Sequence, residues 1–451
     1  MRFDVLDDLS DNIKQETMKR RNFIRSNAFS AMFVSGVSLL PDFLNGTLLP
    51  DEKKSYAEYL RNSAVPKEEL DIFLNENSWA QFDPEVGYIL GNYMPHDGID
   101  NSYTLSTVTK DGKRTNRIYT DKPCRINTYG NSFTHCHQVS DAETWQEYLA
   151  GHFGEPIQNF GMGGFGVYQA YRRLLRREKI DTDSKYVILY MWGDDYVRSA
   201  FRCRYATYYT RWNDYGGYMF HGNFWSNIEM DTNTGKLVEM ENRISSRAEM
   251  YKMSDPEFMY DNLKDDLMVQ LHLLSSDMVN SDVDKKGLKK LADILELPEV
   301  NFSSSEKMKG TATSLKNKYS FEATKYILKK TREFCDEYSK KLLLVHFDPG
   351  KVFKAMVKGE NRYDQDIVDF IKTNGYLYFD MNEVHLNDFK KFNLTLDEYM
   401  DRYFIGHYTP SGNHFFAYSI KDKLVDWLDP KPITYQQNDS KLIRFKDYLP
   451  K

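Results

Sequence analysis

In the stretch "INTYGNSFTHCH", a β-branched, polar run stops at Gly130, and Asn131 and Ser132 follow at once. A serine at a strand-to-helix turn either caps the helix or attacks a substrate. Its hydroxyl is a poor nucleophile near neutral pH, so the second role requires a base within hydrogen-bond reach. His407, in "GHYTPSGNHFFA", and His414, seven residues on, are the candidates. His414 falls inside a helical pattern, where surface packing is the plainer role. His135 and His137 alternate, but no third ligand has metal-site spacing, and there is no H-E-x-x-H motif; a metal is not expected. Gly161, Gly163 and Gly166 satisfy G-x-G-x-x-G. The next strand, however, ends near Asp194, 28 residues past Gly166, where the ribose contact of a dinucleotide site prefers roughly 20. With no G-x-x-x-x-G-K-[ST] loop either, no cofactor is expected.

The elements that must position these residues alternate in type. "CRINTYG", "IQNF", "KYVILYMWG", "KKLLLVHF" and "YLYFDM" read as strands, the third buried on both faces by its continuous apolar run. "AETWQEYLAGHF" has helical spacing with Trp145, Leu149 and Phe153 on one face, "VYQAYRRLLRREK" is a basic amphipathic helix, and "GNHFFAYSIKDKLVDWL" is a closing helix. Strand, helix, strand, helix predicts an α/β fold whose parallel sheet is covered on both faces. Residues 46–120 read as an extension of short strands separated by Asp-Gly turns, with "KDGK" a hairpin signal. Residues 201–320 form a large insertion that opens densely in Tyr and Trp and continues charged and helical. Its Ser303–Ser305 tract reads as a flexible link. Residues 431–451 form a tail.

A net charge of −6 leaves no basic footprint, so nucleic acid is not an expected partner. Cys124, Cys136, Cys203 and Cys335 lack C-x-x-C spacing and read as free thiols ahead of one or two disulfides, which the sequence does not pair. Within residues 1–45, Arg20 and Arg21 precede Phe23, Ile24 and a moderately apolar run. This resembles a twin-arginine export signal, and the run is too short and too polar to span a membrane. The alternative is an amphipathic helix with a basic flank. The sequence carries no reading of oligomeric state.

Four blocks fall at strand C-terminal ends or before the last helix: "YGNSFT", "NFGMGG", "MWGDD" and "GHYTPSGNHFFA". Together with Val139–Trp145 they resemble the SGNH/GDSL hydrolase superfamily over about residues 120–200 and 340–428. The resemblance implies a three-layer α/β/α sandwich with a flavodoxin-like parallel sheet, split into residues 121–200 and 321–430. It also implies serine esterase activity, with Ser132 as nucleophile and His407 as base; Gly412 and Ala417, five and ten residues beyond His407, keep the block spacing. The oxyanion donors would be the N–H groups of Ser132 and Gly164 and the side chain at position 194.

Three positions depart from the family pattern. Asn131 stands for the first-block aspartate, and Asp194 for the third-block asparagine. The reciprocal change predicts that Asn131 takes over part of the donor role. Asp194 repels the oxyanion if ionised, and donates only if burial raises its pKa. Three residues before His407 stands Phe404, not an acid, so Asp401, Asp380 or Glu383 would orient the imidazole, or Ser132 and His407 act as a dyad. Tyr205, Tyr208 and Trp212 open the insertion and suit either sugar stacking or a subdomain core. The expected substrate is a small acylated molecule or carbohydrate losing a short acyl group such as acetyl. Alternatives are O-acyl transfer between sugars by the same intermediate, and an exported carbohydrate binder that no longer cleaves.

Overall fold

The computed structural model describes residues 54–207, 209, 220–280, 282–298 and 300–436. Its strands are β1 (Ala80–Asp83), β2 (Gly87–Leu90), β3 (Ile126–Tyr129), β4 (Gln158–Asn159), β5 (Tyr186–Met191), β6 (Asn227–Asp231), β7 (Lys236–Met240), β8 (Lys341–His346) and β9 (Tyr378–Asp380). β3, β4, β5, β8 and β9 form a parallel five-stranded sheet in the order β4-β3-β5-β8-β9. In chain order this is 2-1-3-4-5, the order of flavodoxin-like doubly wound sheets, whose ligands gather where the winding reverses, here beside the ends of β3 and β5.

The helices are α1 (Tyr56–Asn62), α2 (Lys67–Asn75), α3 (Ser132–His135), α4 (Trp145–Phe153), α5 (Val167–Glu178), α6 (Gly193–Arg198), α7 (Pro256–Leu263), α8 (Leu267–Ser275), α9 (Lys285–Ile294), α10 (Ser305–Glu337), α11 (Gln365–Thr373), α12 (Met381–Phe389), α13 (Leu396–Tyr403) and α14 (Pro410–Trp427). β5 shows why both faces of the sheet are covered. Tyr186, Ile188 and Tyr190 join a core with Trp145, Leu149 and Phe153 of α4 and Phe416, Ile420 and Leu424 of α14. Val187, Leu189 and Met191 point the other way, into a core with Leu174 of α5, Ile327 of α10 and Ile371 of α11. Alternation along one strand thus feeds two helical layers.

A third core lies away from the sheet. It joins Tyr56, Leu60, Leu70 and Phe73 of α1 and α2 to Met259 and Leu263 of α7, Leu271 of α8 and Leu288 of α9. The early segment, expected as strands and turns, opens instead with the helices α1 and α2, and it shares one interior with the chain between β5 and β8. The Ser303–Ser305 tract is a helix start rather than a flexible link: the Ser304 side chain accepts the Lys307 N–H and opens α10. Met308, Ala312, Leu315 and Tyr319 of α10 belong to the third core, and Phe321, Ile327, Leu328 and Phe334 to the sheet's. One long helix ties the two together. The KDGK turn forms as expected, with the Gly112 N–H donating to the Thr109 carbonyl at 2.8 Å and Val108 bridging Arg114. All four cysteines are buried and free. Among the described residues no helix is long and apolar enough to cross a membrane.

Candidate functional site

Gly130, at φ 147°, turns the chain from β3 into α3, and a side chain there would overlap Thr134 Oγ1. Only glycine fits so sharp a turn. Asn131 caps α3, its Oδ1 accepting the Phe133 N–H at 2.8 Å, while its Nδ2 donates to Asp195 Oδ2 at 2.5 Å. Ser132 is then the first helical residue, whose N–H has no intrahelical acceptor, and it is 3% exposed.

His407 stands in the loop between α13 and α14. The loop is closed by the Phe404–Tyr408 bridge and by the Thr409 N–H donating to the Tyr403 carbonyl at 2.8 Å. Thr409 caps α14 by accepting the Gly412 N–H at 3.0 Å. The Tyr408 hydroxyl meets His385 Nε2 at 2.8 Å, and His385 Nδ1 meets the Tyr399 hydroxyl at 2.9 Å. Side chains from α12 and α13 thus fix the loop.

The imidazole of His407 is oriented by an amide. Its Nδ1 lies 3.0 Å from Gln138 Oε1, and the same oxygen accepts the His407 backbone N–H at 2.8 Å. Gln138 Nε2 donates to the Asp97 carbonyl at 3.1 Å, which settles which end of the amide is oxygen. A carbonyl oxygen only accepts, so Nδ1 carries the proton and Nε2 keeps its lone pair. Nε2 is buried without a hydrogen-bond partner. Burial, and after it the charge of Arg198, depress the His407 pKa to about 3, so the ring is neutral across the physiological range. Its ring centroid lies 5.0 Å from that of Phe133 and 5.1 Å from that of His137. The Phe133 ring, next in sequence to Ser132, thus packs against the His407 ring, while Nε2 makes no hydrogen bond to the serine in this state.

None of the carboxylates expected to orient His407 does so. Asp401 is exposed on α13, Glu383 is exposed on α12, and Asp380 caps α12 and pairs with Arg362 at 2.5 Å. Asp194 lies 3.0 Å from Lys351 Nζ and 3.7 Å from Arg198. Burial acts to raise its pKa, but Lys351 and Arg198 outweigh it and hold the carboxyl at about 2. Asp194 is ionised and has no proton to donate. The amide–carboxylate exchange is instead completed one residue on, by Asn131 and Asp195, so the Asn131 side chain is engaged at both ends. Asp195 also accepts the Trp192 N–H at 2.9 Å and pairs with Arg198 at 3.2 Å. Burial pushes its carboxyl up to about 7 against these donors.

The glycine run packs closely against protein groups. A Cβ at Gly161 would overlap the His135 backbone, at Gly163 the His137 ring, and at Gly166 it would lie 2.5 Å from the Ser199 nitrogen. Gly164 has φ 83°, and a Cβ there would overlap Arg204 Nη1. His135 meets Ser106 Oγ at 3.0 Å and the Gly161 carbonyl at 3.2 Å, so both ring nitrogens are occupied. No group of three His, Cys, Asp or Glu side chains converges as a metal site among the described residues. Tyr205 is 1% exposed in the third core, against Tyr209 and Phe220, and offers no stacking face; Tyr208 and Trp212 lie outside the described residues.

Sequence reasoning missed Gln138, Arg198, Arg204 and Arg114. Buried Arg114 donates to the carbonyls of His135 and Cys136 at 2.6 and 2.5 Å and of Val139 at 2.6 Å. It holds in shape the loop in which Cys136 and Gln138 have φ 63° and 67°. No family model matches this chain, and no curated protein matches it.

Proposed function

We propose that the chain is a serine esterase of the SGNH/GDSL type that removes a short acyl group, such as acetyl, from a carbohydrate. The observation that supports this reading is the bond from His407 Nδ1 to Gln138, which leaves the Nε2 lone pair bare on a ring that packs against Phe133, the neighbour of Ser132. Ser132 Oγ attacks the ester carbonyl and passes its proton to Nε2. As the tetrahedral centre collapses, the carbon–alkoxide bond breaks and the departing oxygen takes that proton. Water, activated by the same nitrogen, then attacks the acyl-serine and releases the acid. With an alcohol in place of water, the same steps move the acyl group to a second sugar. The basic segment around Arg20 and Arg21, outside the described residues, favours an exported protein.

A binder that no longer cleaves is favoured by two observations, the ionised Asp194 and the lack of a carboxylate on His407. Acyl release from p-nitrophenyl acetate and from an acetylated glycan separates the readings. Hydrolysis should fall to background in Ser132→Ala and in His407→Ala. Equal release by wild type and both variants rules the esterase out.

A further inference from the structure

We infer that the guanidinium of Arg204 is the main cationic donor of the oxyanion pocket, in the role that Asp194 cannot fill. The inference rests on the esterase reading and adds a catalytic residue to it. In acyl transfer the negative charge develops on the former carbonyl oxygen, and donors set in place beforehand do most when water is excluded. Asp194 brings a negative charge instead, turned to Lys351 and Arg198.

Arg204, by contrast, is 3% exposed, and its Nη1 occupies the space a side chain on Gly164 would take. The left-handed backbone of Gly164 and its missing Cβ let the guanidinium lie directly on the glycine predicted to supply an oxyanion N–H. Tyr88 fixes the guanidinium from behind. Its hydroxyl shares a hydrogen bond with Arg204 and donates to the Gly163 carbonyl at 2.5 Å. Around the same turn the His137 ring covers Gly163 and lies 5.1 Å from the ring of His407. Guanidinium, glycine turn, second imidazole and base thus form one contiguous wall. A planar, delocalised fork of N–H donors is suited to an oxygen whose charge appears only in the transition state.

Labelling by a fluorophosphonate tests this. Ser132 Oγ bonds to phosphorus, the P–F bond breaks, fluoride leaves and the serine proton goes to His407; the phosphoryl oxygen then sits where the oxyanion would. Arg204→Met should slow labelling of Ser132 by about 10²- to 10³-fold, with Arg204→Lys intermediate and both thermal midpoints near wild type. Guanidinium ion at tens of millimolar should restore part of the rate to Arg204→Ala, which a merely structural arginine would not allow. If Arg204→Met does not fold, Arg204→Lys decides. Labelling of folded variants at the wild-type rate overturns the inference and leaves the esterase reading standing, whereas wild type that never labels at Ser132 ends both.

Discussion

A neutral amide behind His407 changes what that ring can do as the base of the proposed esterase. Gln138 fixes the tautomer of His407 as a carboxylate would, but it offers no charge to an imidazolium. Burial and Arg198 oppose that cation as well, which is why the pKa falls to about 3. A base works in its neutral form, so lowering its pKa extends its range to acid. kcat/KM should be flat between about pH 5 and pH 8, where an ordinary histidine near 6.5 would lose activity on the acid side. Gln138→Glu should bring a charge that favours the imidazolium, moving the acid limb up towards neutrality. Above that limb, kcat should rise by about tenfold, a fraction of the roughly 10⁴-fold an orienting carboxylate can contribute. A pH–rate profile of both proteins checks this, and coincident profiles would show that position 138 does not touch the base. Ser132 and His407 stand out in the sequence because their residue types and flanking glycines are distinctive. Gln138 does not: it is neutral, it lies 269 residues from its partner, and nothing in its local spacing marks it.

At the scale of elements, the site depends on two loops that regular structure does not hold. The loop after α3 carries Cys136 and Gln138 in left-handed backbone, which non-glycine residues adopt at a cost. Arg114 offsets that cost by satisfying three of the loop's carbonyls and pairing with buried Asp141 at 3.1 Å. Arg114→Met should therefore destabilise the fold by about 3 kcal/mol or more, read by urea unfolding. It should also lower kcat, because Gln138 would no longer meet His407. In the second loop, Gly406 has φ 115°, and a Cβ there would lie 2.7 Å from Gln138 Oε1. Strands and amphipathic helices were readable because their periodicity is local; Trp145, Leu149 and Phe153, placed on one face by spacing, are all fully buried. The loop after α3 was not, since its shape comes from an arginine that lies before β3.

Over the whole molecule, the order of strands was legible as a class because alternating strands and helices leave few arrangements of a parallel sheet. The third core was not. Its two halves, residues 56–90 and the chain between β5 and β8, are separated by the first three strands of the sheet, and neither half displays a complete apolar face alone. Leu60 of α1 shows the consequence. It is fully buried in the core shared with α7, α8 and α9, far along the chain from every residue of the pocket. Leu60→Ala removes buried methyl groups and leaves a cavity that costs about 2–5 kcal/mol. α10 runs through both this core and the sheet's, so the loss should appear as one cooperative urea transition at a lower midpoint, not as a separate early step. Below that transition, kcat should match wild type, because α1 carries none of the residues placed in the proposed site. An early transition confined to the third core, with the sheet still folded, would mean that α10 does not couple the two.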